Sequence, residues 1–192
     1  MKQPQGGYRI RDPEAIYFIT CTVVEWLDVF TRPEYAKIVL DALRYAQKSK
    51  GLLIYGWVLM PNHLHLIGQA GYPDKASLSD IIRDFKRHTS KQMVQAVMDH
   101  SKESRKGWMT WLFRDNGAKA HSNEVFQFWQ YGFHPIELSS DSLFYQRLDY
   151  MHDNPIRTGL VWQREHYAYS SAINFAGGKG HLEIEYLKGY SF

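Results

Sequence analysis

Cysteine is almost absent from this sequence: Cys21 stands alone among 192 residues. No intramolecular disulfide and no cysteine-rich metal cluster can form, so a reducing compartment, the cytoplasm, is expected. Long apolar runs are missing too. Ile16 to Val24 is broken by Thr20 and Thr22 and is too short to cross a bilayer, and Arg9, Arg11 and Asp12 ahead of it do not look like a signal peptide. No membrane role is expected. Neither sign of charge dominates: a net charge of +3 and a pI near 8.8 permit nucleic-acid binding without arguing for it. No glycine-rich phosphate loop, internal repeat or low-complexity segment is present.

What is there suits one compact domain over residues 1–192, since 44% of the chain is hydrophobic and 22% charged. Met1 to Pro13 reads as a loose entry segment, and residues 172–192 as a variable tail. Ile16 to Val24 is a strand. Thr31-Arg32-Pro33-Glu34 carries the signature of a helix start, with Thr31 as the cap, and Gly51 marks the end of that helix. Leu52 to Met60 and His63 to Ile67 flank Pro61-Asn62, which predicts an antiparallel hairpin. Helical spacing runs from Ser77 to Met98, and Ser101 to His121 reads as a helix end plus a mobile loop. Val125 to Gln130 is expected as a short strand, followed by a helix capped by Asp141 or Ser142 and stopping near Pro155. The sum is an α+β fold: an antiparallel sheet of split βαβ type with helices packed on one face.

Side chains alternate along a strand, so His63 and His65 point one way while Leu64 and Leu66 point to the core. Two neutral imidazoles at that spacing can share a divalent ion, although two surface histidines would be the ordinary explanation. On a helix, Tyr150 and Asn154 lie one turn apart on one side. A phenol is a poor nucleophile at neutral pH unless a metal or base assists it, and an amide oxygen is a hard metal ligand. Two histidines and an amide leave coordination open for a phosphate oxygen. Otherwise Tyr150 is a core or edge tyrosine and Asn154 a helix cap. Arg83, Lys86, Arg87 and Lys91 form a basic row that could follow phosphates, or simply a solvated helix face. Trp129, with Tyr131 and Phe133, is a candidate for stacking on unpaired bases, or for the core.

The stretch Gly56-Trp57-Val58-Leu59-Met60-Pro61-Asn62-His63-Leu64-His65 resembles the His-hydrophobic-His (HUH) segment of the single-tyrosine, insertion-sequence-200-like transposases. Asp149-Tyr150-Met151-His152-Asp153-Asn154-Pro155-Ile156-Arg157-Thr158-Gly159-Leu160 is similar to the tyrosine-helix signature of their REP-associated branch. Phe128 to Phe133 and Tyr167 to Ser171 also fit that branch. The resemblance implies a ferredoxin-like sheet, a homodimer, and cleavage of single-stranded DNA at hairpin-associated sites. His63 and His65 would bind Mg²⁺ or Mn²⁺, Asn154 would complete the metal shell, and Tyr150 would form a 5′-phosphotyrosine link. Asp153 stands where the branch more often has an apolar residue and competes with Asn154 as ligand. The bond energy stays in the phosphotyrosine, so no nucleotide cofactor is expected. Two other readings compete: a non-catalytic nucleic-acid-binding module, and a metal-dependent phosphodiesterase with a water nucleophile.

Overall fold

The computed structural model describes residues 10–120 and 125–188. Most of the expected N-terminal segment, His121 and the last four residues of the tail therefore lie outside the described residues. The elements are strand β1 (Tyr17–Thr22), helix α1 (Pro33–Lys50), strands β2 (Leu52–Met60) and β3 (His63–Ala70), helices α2 (Leu78–Asp99) and α3 (Lys106–Lys119), strand β4 (Ile136–Glu137), helix α4 (Asp141–Arg157) and the short helix α5 (Ala172–Phe175). The strands order as β2-β3-β1-β4, every neighbouring pair antiparallel. With β3 between them, β1 and β2 run parallel. This is the expected split βαβ, ferredoxin-like α+β sheet.

Local chemistry accounts for most boundaries. Pro33 opens α1 with its φ already set for a helix, and Gly51 closes it in the left-handed region at φ 71°. Arg32, in an extended conformation and making no side-chain capping bond, takes the cap position expected for Thr31. Ser77 caps α2 by accepting from the Asp80 N–H, and Ser140, one residue ahead of the expected caps, serves α4 by accepting from Leu143.

The sheet has two covered faces. On one, Ile19, Cys21, Trp57, Leu59, Leu64 and Leu66 pack against α1, α2 and α3. On the other, Phe18, Val58, Met60 and Ile67 pack against Phe144, Leu148 and Met151 of α4. Thus α1 and α2 share one face as expected, α3 joins them there, and α4, expected on that same face, lies on the opposite one. Gly56 permits this close approach, because a Cβ there would run into Met151 Cε and Leu148 Cδ1. The outer edge of β2 is also covered: the N–H of Leu59 donates to Tyr169 O, that of Ser171 to Trp57 O and that of Glu185 to Ile54 O.

Three local expectations are corrected. Residues 106–119, expected within a loop, form α3, whose Met109, Leu112 and Phe113 are buried at helical spacing. Residues 125–130 are not a strand. They make one bridge, Val23 to Trp129, and both Phe128 and Trp129 go inside, which defeats two-residue alternation. Finally, α4 runs through Pro155 to Arg157. Pro155 falls in the last turns, where the lost N–H removes a single helical bond.

Glu103 holds the turn between α2 and α3 against α1. Its carboxylate is fully enclosed and accepts from Arg32 Nε at 2.8 Å, Arg105 Nε at 3.1 Å and the Arg105 N–H at 3.1 Å. Burial alone would raise its pKa, but the bonds from Arg105 and Arg32 overcome this and bring it down to about 2. The folded value lies below the unfolded one of about 4.3, so this contribution is complete above pH ~4.5 and is lost as pH falls toward 2. Glu103→Gln is expected to destabilise the fold by ~2 kcal/mol at pH 7, and by much less at pH 3. Urea unfolding at the two pH values checks this, and an equal loss at both would contradict it.

Candidate active site

The β1–β3 register sets the site. Thr20 pairs with His65 and Thr22 with His63, so the imidazoles emerge on the face that α4 covers. Their ring centroids are 4.6 Å apart. Tyr150, on α4 of the same chain, brings its ring to 5.7 Å from that of His65, and Phe18 lies against both, at 5.0 Å from His65 and 6.3 Å from Tyr150. The two histidines and the tyrosine, 85 residues apart in the sequence at their closest, thus share one site. Tyr150 remains 37% exposed and so is open to solvent.

Hydrogen bonds fix the orientation of both imidazoles. The Asn62 amide donates to Asp28 Oδ1 at 2.7 Å, which leaves Asn62 Oδ1 as an acceptor 2.6 Å from His63 Nδ1. His63 therefore carries its proton on Nδ1 and presents a lone pair on Nε2. His65 Nδ1 lies 2.9 Å from Thr20 Oγ1, which leaves its Nε2 as the ring nitrogen not engaged by that contact. Burial pushes His63 down to about 4, with Asp28 pulling the other way. It pushes His65 down to about 3, helped by repulsion from His63 and Arg147. Both rings are neutral at physiological pH, the form in which imidazole binds a metal. A bound ring oriented from its far nitrogen is the usual outer arrangement of a metal ligand.

Candidates for a third donor can be sorted. Among the described residues, no group of three or more His, Cys, Asp and Glu gathers around one point. Asp153 is taken by Arg164, whose Nη2 is 2.9 Å from Oδ1, and Arg164 also holds Asp149. Half-buried Asn154 lies one turn from Tyr150 on the same side of α4. The helix itself is pinned to β2: buried His152 contacts Ser171 Oγ at 2.8 Å, and that oxygen accepts from the Trp57 N–H at 2.9 Å.

The basic row lies elsewhere. It belongs to α2, across the sheet from the imidazoles. Arg83 is paired with Asp80 and Asp84, and Arg87 with Asp84. Lys86 donates to Gln130 O at 2.8 Å and to Gly132 O, a structural tie between α2 and residues 130–132. Trp129 is 3% exposed and donates its indole N–H to Thr89 Oγ1, so no base can stack on it. A groove of about 890 Å³ does run between α2 and residues 125–133, lined by Arg83, Arg87, Lys91 and Tyr131, the last 64% exposed.

Two side chains absent from the sequence-based list stand at the site. Arg147 lies over Phe18, and Trp26 brings its ring to 5.9 Å from His63 from a turn in which Glu25 and Trp26 both adopt positive φ, 52° and 53°. A lone arginine on a helix face gives no sequence signal, and Trp26 stands among many aromatics. Thr20→Val removes the outer partner of His65 at nearly constant shape. It is expected to weaken Mn²⁺ binding by roughly 10- to 100-fold with the fold intact, as read by electron paramagnetic resonance titration. Unchanged affinity would count against an ion at these imidazoles.

No curated protein matches the chain. Among solved structures, a REP-associated tyrosine transposase bound to a REP hairpin superimposes with a TM-score of 0.60 at 16% identity, over 100% of this chain and 96% of that one. A candidate transposase from Deinococcus radiodurans gives 0.42 at 17% identity, over 80% and 97%. The first likeness supports the fold. The family profile described as "Transposase IS200 like" matches residues 16–116, just over half of the chain, including both histidines. The chain belongs to the IS200-like transposase family.

Proposed function

We propose that this transposase-family, DNA-cleaving protein cuts and rejoins single-stranded DNA at hairpin-associated sites through a 5′-phosphotyrosine at Tyr150. The observation that carries the reading is the convergence of Tyr150 on the oriented imidazoles of His63 and His65 within one chain. The Tyr150 oxygen attacks phosphorus, the bond to the 3′ oxygen breaks, and the phenolic proton ends on the freed 3′-hydroxyl. Attack by that hydroxyl reverses the step or joins a new end, so no nucleotide cofactor enters. A divalent ion, Mg²⁺ or Mn²⁺, held by His63, His65 and Asn154, would supply Lewis-acid polarisation of a phosphate oxygen.

The protein's own groups do the positioning. Thr20 and Asn62 hold the imidazoles from behind, and the His152–Ser171 contact fixes the helix that carries the phenol. The groove along α2, with Arg83, Arg87, Lys91 and Tyr131, is proposed to hold the hairpin, while Lys86 and Trp129 serve it as scaffold. Such work belongs in the cytoplasm. The site's parts come from one subunit, so the homodimer implied by the resemblance would not be needed to complete the site.

The test is a labelled pool of hairpin oligonucleotides with randomised single-stranded flanks, incubated with Mn²⁺. An adduct resistant to denaturant is expected from the wild type and none from Tyr150→Phe. Retention of hairpins without any adduct would favour a binding module. Cleavage surviving Tyr150→Phe would favour a phosphodiesterase with a water nucleophile. Mixing His65→Ala with Tyr150→Phe is expected to restore no adduct, since each chain lacks part of its own site. Recovery on mixing would show that subunits share sites.

A further inference from the structure

Four residues of α4 fall on one stripe at helical spacing: Arg147, Tyr150, Asn154 and Arg157. Asp149 and Asp153 of the same helix lie round its flank, where Arg164 neutralises both. The stripe beside the imidazoles is therefore cationic. Arg157 stands over the Tyr150 ring, its guanidinium carbon 5.3 Å from the centroid. Arg147 is the more buried of the two. Its guanidinium carbon lies 5.6 Å from the centroid of Phe18, the residue that also touches His65 and Tyr150.

Arg147 has an unanswered need. Its Nε is buried and has no hydrogen-bond partner, and no carboxylate pairs with the guanidinium among the described residues. A half-buried cation without a counter-ion is costly. It persists beside two neutral imidazoles, and its positive charge is felt at His65. A guanidinium has a planar fork of donors that matches the oxygens of a phosphate and pairs with it more strongly than with neutral groups.

We propose that Arg147 is a catalytic residue of this site: its guanidinium binds a non-bridging oxygen of the phosphate that Tyr150 attacks. The assignment rests on the phosphotyrosine reading and adds to it the group that meets charge building on the phosphoryl oxygens as the Tyr150–phosphorus bond forms and the bond to the 3′ oxygen breaks. Phe18 acts as the rest that keeps the guanidinium plane in place.

The experiment uses a hairpin oligonucleotide recovered from the randomised pool, with a single phosphorothioate of defined configuration at its scissile position. Arg147→Met keeps packing over Phe18 and removes the charge. It is expected to slow adduct formation by roughly 100-fold, with hairpin affinity within about threefold and an unchanged melting temperature. In the wild type one phosphorothioate diastereomer should react more slowly than the oxygen substrate, and that penalty should shrink in Arg147→Met, which a purely structural role would not produce. Should the methionine variant fail to fold, Arg147→Lys keeps the charge. It is expected to react at an intermediate rate with an altered phosphorothioate penalty. Wild-type rate or an unaltered penalty in a folded variant overturns the role of Arg147 and leaves Tyr150 as the nucleophile. Absence of any adduct from the wild-type protein instead removes the phosphotyrosine reading and this assignment with it.

Discussion

Antiparallel pairing of β3 with both of its neighbours governs the rest of the molecule. Thr22 opposite His63 and Met60 opposite His63 fix one register from two sides. A slip of one residue would turn Leu64 and Leu66 out of the core and drive two imidazoles into it. Burial of those leucines against the α1–α2 side therefore stabilises the fold and, by the same geometry, presents the histidines to α4. The hairpin turn at Pro61-Asn62 tightens this further, because Pro61 O accepts from the N–H groups of both Val29 and Phe30, and Asn62 reaches Asp28 and His63 together. Packing and chemistry are two consequences of one alternation.

The second layer is electrostatic. A chain of hydrogen bonds leads from enclosed Glu103 through Arg105 to the Asp28 carbonyl, and from the Asp28 carboxylate through Asn62 to His63. It orients the ring without charging it, while desolvation keeps both imidazoles neutral. Positive charge at the site resides in arginines of α4, while Asp149 and Asp153 of that helix pair with Arg164 on another flank. Neutral imidazoles on the sheet thus stand beside a helix stripe that carries Arg147 and Arg157.

Much of this could be read from residue order. His63 and His65 obey strand parity, Tyr150 and Asn154 obey helical spacing, and Pro33, Gly51 and Ser77 mark helix ends by their own conformational limits. Other parts depend on contacts between distant segments. Exposed Trp108 and Trp111 blur the apolar stripe of α3, which hid it. A two-residue strand such as β4 has no periodicity to detect. Phe128 and Trp129 both turn inward because residues 128–130 lie between β1 and the helices, so the aromatic expected to meet a base instead fills the core. The placement of α4 on the far face followed from Gly56 and the His152–Ser171–Trp57 contact, neither of which has a local signature. That placement makes Arg147 a neighbour of His65.

The corner at Glu25 and Trp26 has a bearing on how this protein tolerates change. Two successive non-glycine residues in the left-handed region cost on the order of 1 kcal/mol each, and the conformation holds an exposed indole beside His63. Glycine at position 25 would relieve that cost and loosen the indole in the same stroke. Selecting variants for heat resistance alone would favour such a relaxation, and the sturdier protein would hold Trp26 less firmly against the imidazole.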